Sequence, residues 1–290
     1  MSPELPHLDG VEHRFVEVGD IRMHVAEAGT GKPLVLLHGW PQNWWQWRRL
    51  VPLLADRFRL ICPDTRGFGW SDAPASGYDK EAIADDVLGL LDALELRRTC
   101  MIGHDVGGFV GFLVCLKAPE RIERYLSLNT GHPFVRPTPS ALATLWRFWY
   151  WPLLGAPLLG PWLVRRGAFQ PLLGRWFTAD RAGWSAEDAA LFEACLAEPA
   201  RALASSKNYR TYMLKDSPAV LLGKYRSQRL RVPTRMLHGL EDRILRPAFL
   251  AGYEPFADDM TIELVPGAGH FIAEEAPQLV AQQALEFFDA

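Results

Sequence analysis

Three side chains in this sequence stand where a reaction could use them, each just past an apolar run. Asp105 is the centre of Gly103-His104-Asp105-Val106-Gly107-Gly108, Asp242 ends Leu237-His238-Gly239-Leu240-Glu241-Asp242, and His270 closes Gly267-Ala268-Gly269-His270. A Gly-x-x-x-Gly turn between a buried strand and a helix holds its middle side chain up and exposed, the form of a nucleophile elbow. The residue usually found there is Ser; here it is Asp. Nucleophile, acid and histidine in that chain order, each directly after a strand, are the pattern of a triad on a parallel sheet. Glu241 is open as an alternative acid on spacing alone, with Asp242 preferred.

Aspartate at the elbow narrows the chemistry. A carboxylate with an ordinary pKa near about 4 is already ionised at neutral pH, and a helix N-terminus behind it favours the anion, so it attacks without a base. Attack on an ester carbonyl would form a reactive anhydride, whereas attack on a saturated carbon bearing a leaving group forms a plain alkyl ester on Asp105. His270, oriented by Asp242, is then free to activate the water that cleaves that ester. The oxyanion of this second step needs donors. The backbone N–H groups of Val106 and of Trp40, in His38-Gly39-Trp40-Pro41, are placed to supply them. Pro41 would fix that turn, with the isomer of the Trp40–Pro41 bond left open.

The surrounding pattern says what must carry these residues. Segments 13–19 and 21–28 alternate apolar and polar residues around Gly19-Asp20, a β-hairpin. Apolar runs at 32–38, 58–62 and 98–102 read as buried strands, and 125–129, 232–238 and 260–265 as further strands. Helices are expected over 43–55, 80–95, 109–117, 246–254 and 273–289. Strand and helix alternate, which predicts a mostly parallel, eight-stranded α/β sheet with helices on both faces. From 133 to 228 the rhythm turns helical and irregular, rich in Trp and Pro. This stretch is expected to be a helical cap inserted into a core made of 1–132 and 229–290. Trp40, Trp149 and Trp151 are the candidates to wall an apolar pocket beneath it, with core packing the alternative, and His132 is a further pocket candidate for which a structural role is preferred. His104, His38, Asp64 and Arg66 are expected to hold local backbone.

The totals exclude several classes. With 290 residues, 22% charged and a net charge of −3, the chain has no basic excess that calls for nucleic acid. Cys62, Cys100, Cys115 and Cys195 show no C-x-x-C spacing, which argues against a zinc site or a disulfide framework and suits a reducing compartment. No signal-peptide pattern opens the sequence, so a cytoplasmic location is expected. Residues 145–164 are apolar enough to span a bilayer, but Pro152, Pro157 and Pro161 break them, and a lid is expected instead of a span. No metal or cofactor is expected, and both a monomer and a homodimer remain open.

Taken together, the H-G-x-P loop at 38–41, the D-x-R-G-x-G-x-S loop at 64–71, the G-x-D-x-G-G elbow at 103–108, Asp242 and the G-x-G-H segment at 267–270 resemble the α/β-hydrolase fold. Within it they resemble the branch of epoxide hydrolases and haloalkane dehalogenases, over nearly the whole chain. The leaving group decides between the two. The dehalogenases usually place Trp directly after the nucleophile, where this chain has Val106. Haloacid enzymes tend to have Arg there. Epoxide opening makes an alkoxide that needs an acid, and the resemblance implies cap tyrosines for that role. Tyr209, in Lys207-Asn-Tyr209-Arg210, looks like one of them, with Tyr212 a competitor; Tyr150 matches the other less well. The resemblance thus implies an epoxide hydrolase acting on a small apolar epoxide and water. Rival readings are a haloalkane or haloacid dehalogenase and a non-catalytic ligand-binding member of the fold.

Overall fold

The computed structural model describes residues 3–136, 138–169, 173–179 and 184–289. Eight strands form one sheet: β1 Val11–Val18, β2 Ile21–Ala28, β3 Lys32–Leu37, β4 Phe58–Pro63, β5 Thr99–His104, β6 Ile122–Leu128, β7 Thr234–Gly239 and β8 Met260–Val265. Their order is β1-β2-β4-β3-β5-β6-β7-β8. The hairpin β1–β2 is antiparallel and joins β4 antiparallel; every pairing from β4 through β3 to β8 is parallel.

The apolar runs of the inner strands read as strands because both faces of the sheet are covered there, while the edge strand β8 leaves Leu264 41% exposed. Along β3, Val35 and Leu37 face a core built with the helices Lys80–Ala93 and Asp105–Lys117. Leu34 and Leu36 face the opposite core, shared with Trp44, Trp47 and the C-terminal helix Pro277–Phe288. The period-two alternation of side chains along one strand therefore feeds two cores.

Three expected helices are shorter or broken. The segment at 43–55 is a 3-10 helix, Trp44–Arg49, capped by the Asn43 side chain on the Trp45 amide, followed by one α-turn, Val51–Leu54. Over 246–254 there is no α-helix, only the 3-10 turns Pro247–Phe249 and Glu254–Phe256 with Gly252 at φ +94° between them. Prolines supply no amide for a continuing ladder, and Gly252 takes a left-handed turn that ends one. The last helix splits into Ile272–Glu275 and Pro277–Phe288, because Ala276, directly ahead of Pro277, leaves the helical conformation (φ −136°, ψ 54°).

Between β6 and β7 the described residues form helices and turns and no strand. The helix Pro199–Thr211 is the beam of this insertion. The short helices Trp151–Gly155 and Leu159–Arg165 lie against it, fastened by Arg210 Nε on the Gly155 carbonyl (2.8 Å) and by Ser206 Oγ on that of Ala156 (3.2 Å). Proline and glycine thus cut the 145–164 run into pieces, and no helix among the described residues is long and apolar enough to cross a membrane. A third apolar cluster, including Trp40, Tyr150, Leu154, Tyr209, Ile244 and Phe271, fills the space between the insertion and the carboxyl edge of the sheet.

Candidate active site

Strand β5 is buried along its full length and ends at His104, which is the N-cap of the helix Asp105–Lys117. Asp105 takes φ +48°, a left-handed conformation unfavourable for a side-chain-bearing residue. Close packing holds it there. A β-carbon at Gly107 would lie 2.4 Å from the His38 carbonyl oxygen, so the turn can press on the β3 loop only with glycine at that place. Thr130 Oγ1 donates to the Asp105 carbonyl at 2.7 Å from the far side. The carboxylate is thereby raised over the sheet edge at a helix N-terminus.

The Trp40 amide donates to Asp105 Oδ2 at 3.0 Å, and the Val106 amide also hydrogen-bonds this carboxylate. The Trp40–Pro41 bond is cis. Gly39 is required beside it, since a β-carbon there would stand 2.6 Å from that of Asp105. The Trp40 indole N–H donates to Ser205 Oγ at 2.7 Å, tying the loop that holds Asp105 to the beam helix of the insertion.

His270 completes the row. Its Nδ1 is 2.9 Å from Asp242 Oδ2, and its Nε2 is 3.9 Å from Asp105 Oδ1. Asp242, fully buried, also accepts the amides of Ile244 (2.7 Å) and Leu245 (3.1 Å) on Oδ1, and the side-chain amide of Asn129 (2.9 Å) on Oδ2. Burial opposes its charge, yet His270 and these donors outweigh that and hold it down at about 2. Burial alone would lower His270; the charges of Asp242 and then Asp105 reverse this and raise it above its ordinary value. At Asp105 burial wins and raises the carboxyl, against the opposing pull of His270 and the Val106 and Trp40 amides. Its side chain keeps 27% of its surface accessible where it lines a cavity.

That cavity, of about 140 Å³, lies under the insertion. Asp105 and His270 form its floor, and Phe109, Phe148, Trp151 and Phe249 are among its apolar walls. Tyr150, Tyr209 and Tyr212 all line it. The rings of Tyr150 and Tyr209 meet edge to face with centroids 6.0 Å apart. Burial raises all three phenols well above the ordinary tyrosine value, so each is a protonated donor at neutral pH. Tyr212 opens a π-helical turn, Tyr212–Asp216, after the beam helix, with the Lys80 ammonium 5.0 Å from its ring.

Other expected site residues fall differently. Trp149 is 45% exposed and stands outside the cavity lining: Tyr150 and Trp151 follow it around a helical turn and take the inward positions. The Trp40 indole, fixed by Ser205, walls a smaller hollow of about 30 Å³ with Pro41 and Phe169 instead of the main cavity. His132 lines the main cavity, but its Nε2 donates to the Leu250 carbonyl (3.0 Å) and its Nδ1 accepts the Phe134 amide (3.2 Å). Burial pushes it down to about 4, leaving a neutral structural ring. Glu241 is exposed and accepts the Gly267 amide at 3.2 Å, away from His270.

The remaining polar residues hold backbone. His104 Nε2 contacts the His270 carbonyl at 2.8 Å, and His38 Nε2 accepts the Thr65 amide at 3.0 Å. Asp64 accepts the Trp44 and Trp70 amides, and Arg66 pairs with Asp86 and Asp20. Asn129 is the residue the sequence reading passes over. It bridges Asp242, the Gly269 carbonyl and the Gly239 amide from φ +42°. An Asn directly after a buried strand, the side chain best able to tolerate that backbone, was the available signal. Among the described residues no cluster of His, Cys, Asp or Glu is arranged to hold a metal, and the four cysteines are buried and unpaired.

Residues 32–155 match the alpha/beta hydrolase fold family. The soluble epoxide hydrolase of Corynebacterium sp. (strain C12) is 32% identical over 291 residues, covering 96% of this chain and 97% of that relative. The ligand-free structure of the epoxide hydrolase CorEH superimposes with a TM-score of 0.84 at 30% identity, over 96% of this chain and 99% of that one. A fluoroacetate dehalogenase of Burkholderia sp is 33% identical over 154 residues, 51% of each chain. The chain belongs to the α/β-hydrolase fold family. It is a hydrolase of that family, with epoxide hydrolases among the relatives similar to it from end to end.

Proposed function

We propose that the protein is an epoxide hydrolase that converts an apolar epoxide to a vicinal diol through an alkyl ester on Asp105. Residues 133–228 serve as its cap over a core of 1–132 and 229–290. The observation that carries this reading is the placement of the Asp105 carboxylate under protonated tyrosines in an aromatic cavity, with His270 beside it. Asp105 Oδ1 attacks a ring carbon, the ring C–O bond breaks, and the alkoxide takes a proton from Tyr209 or Tyr150. Water then attacks the ester carbonyl carbon while His270 takes its proton. The oxyanion forms on Oδ2, where the Trp40 amide already points, with the Val106 amide beside the same carboxylate. Collapse releases the diol, protonated by His270, and the remaining proton returns to the phenolate.

The likeness to a fluoroacetate dehalogenase favours a second reading, attack of the same carboxylate on a haloacid. Such a substrate brings its own carboxylate, and among the described residues no Arg or Lys lines the cavity. An unpaired anion in that apolar space would be costly, which favours the neutral epoxide. A single turnover in water enriched in heavy oxygen decides. The first diol should carry unlabelled oxygen and the label should enter the Asp105 carboxylate. Label appearing directly in the diol, or halide release without diol formation, would overturn the reading.

A further inference from the structure

Basic residues and exposed apolar side chains are gathered on the insertion. Residues 133–228 hold twelve Lys and Arg against six Asp and Glu, in a chain of net charge −3, so the remainder carries −9. From residue 124 to 179 the sequence contains no Asp or Glu.

Two stripes on the same segment face solvent. Leu142, Leu145, Trp146 and Trp149 recur at helical spacing, as do Leu159, Trp162 and Arg166, while Gly160 and Val164 of the second helix face inward. Leu158 is 88% exposed, Trp146 61% and Trp162 54%. The Arg147 guanidinium lies 4.8 Å from the Trp146 ring and that of Arg166 lies 5.6 Å from Trp162, so in each stripe a cation sits beside an exposed indole. Monomeric proteins rarely leave large apolar side chains so concentrated in water.

We propose that this face of the insertion docks on an anionic lipid surface. Tryptophan favours the boundary between water and hydrocarbon, and arginine beside it favours anionic headgroups. A second copy of the chain is a poorer occupant, because a two-fold contact centred on the Trp162 stripe would set Arg165 and Arg166 against their own copies. The position also has a use. Leu145 and Leu221 line the cavity and remain 42% and 37% exposed, so the cavity reaches the surface beside the Trp146 and Trp149 stripe. An apolar substrate dissolved in the bilayer could enter there. That delivery step rests on the proposed epoxide chemistry; the docking does not.

The test uses the full chain and sucrose-loaded vesicles of phosphatidylcholine, with or without phosphatidylglycerol. The protein should sediment with the anionic vesicles, weakly with the neutral ones, and release as salt is raised. Arg165→Glu with Arg166→Glu should weaken partition at least roughly thirtyfold. Trp162→Ser should weaken it on both vesicle types. All three side chains are exposed, and circular dichroism checks that the variants are folded. Failure to sediment with anionic vesicles at low salt, or partition unchanged in both variants, overturns the proposal. So does a dimer in sedimentation equilibrium that Trp162→Ser disrupts in a protein that ignores vesicles. Turnover of a water-soluble epoxide without vesicles should be unchanged in these variants. Its absence in the wild type would count against the proposed reaction and leave the docking result standing.

Discussion

His270 Nε2 lies 3.9 Å from Asp105 Oδ1, too far for a hydrogen bond and near enough for each charge to stabilise the other. That spacing leaves the carboxylate oxygen free while the histidine waits. Under the proposed scheme esterification removes the Asp105 charge, one of the influences that raise His270. The histidine then loses its proton more readily, at the step where a base is wanted.

His270→Gln should therefore still form the ester and fail to release it. Intact-mass measurement after exposure to an epoxide should show one stable adduct mapping to Asp105, with steady-state turnover reduced at least roughly a hundredfold. In the wild type the proposed ester hydrolysis requires neutral His270, so its rate should fall as pH drops through the histidine's value in the ester. That midpoint should lie below the one at which His270 titrates in the free enzyme, by NMR. A free-enzyme midpoint equal to or below that of the ester would contradict the proposed charge coupling.

Tyr150 and Tyr209 face one another across the cavity roof, both kept protonated by burial. If either can donate to the opening ring, Tyr209→Phe should slow alkylation of Asp105 by roughly ten- to a hundredfold. The double change with Tyr150→Phe should reach at least the upper end of about 10²–10⁴ that acid catalysis contributes. Hydrolysis of an ester already formed should hardly change. Rapid-mixing kinetics that resolve the two half-reactions check this, and equal loss in both would assign the tyrosines to packing.

How far such a site can be read from sequence depends on which forces placed each part. The strands were legible because burial on both faces demands apolar runs such as Leu34–Leu37, and the row of Asp105, Asp242 and His270 because each follows a strand of one parallel sheet. The 246–254 helix failed because its apolar residues satisfy helical spacing while Pro247, Gly252 and Pro255 deny it a ladder. Trp149 failed for another reason. Three aromatics in succession cannot share one face of a helical turn, and only packing against Phe177 and Tyr209 decides that Tyr150 turns in. Asn129 offers no signal beyond its place at the end of a strand; its bridge to Asp242 exists only after β6 and β7 are paired.

Asp242 is held at about 2 by an interaction present only in the folded chain. A depressed carboxyl adds stability above its unfolded value, near about 4, and loses it as pH falls through the folded value. Thermal melts should therefore drop between about pH 4 and pH 2, and Asp242→Asn should lack this part of the drop. The same change deprives His270 of the partner that fixes its tautomer, so turnover should fall roughly 10²–10⁴-fold. An acid limb identical in both proteins would locate the titrating group elsewhere.

The bond from the Trp40 indole to Ser205 connects the amide donor on Asp105 with the insertion at a place closed to water, Ser205 being fully buried and Trp40 4% exposed. Ser205→Ala strands a buried N–H, at a cost of about 1–3 kcal/mol in unfolding free energy. The consequence should not stop at stability. Under the proposed scheme the Trp40 amide is a donor for the oxyanion on Oδ2, and the indole is the handle by which the insertion holds that loop. A loosened loop should slow ester hydrolysis while leaving formation of the Asp105 ester close to wild type, since the attacking oxygen, Oδ1, faces His270. Denaturant melts and the two half-reactions measured on the same variant test both arms. A stability loss with both half-reactions intact would limit Ser205 to packing.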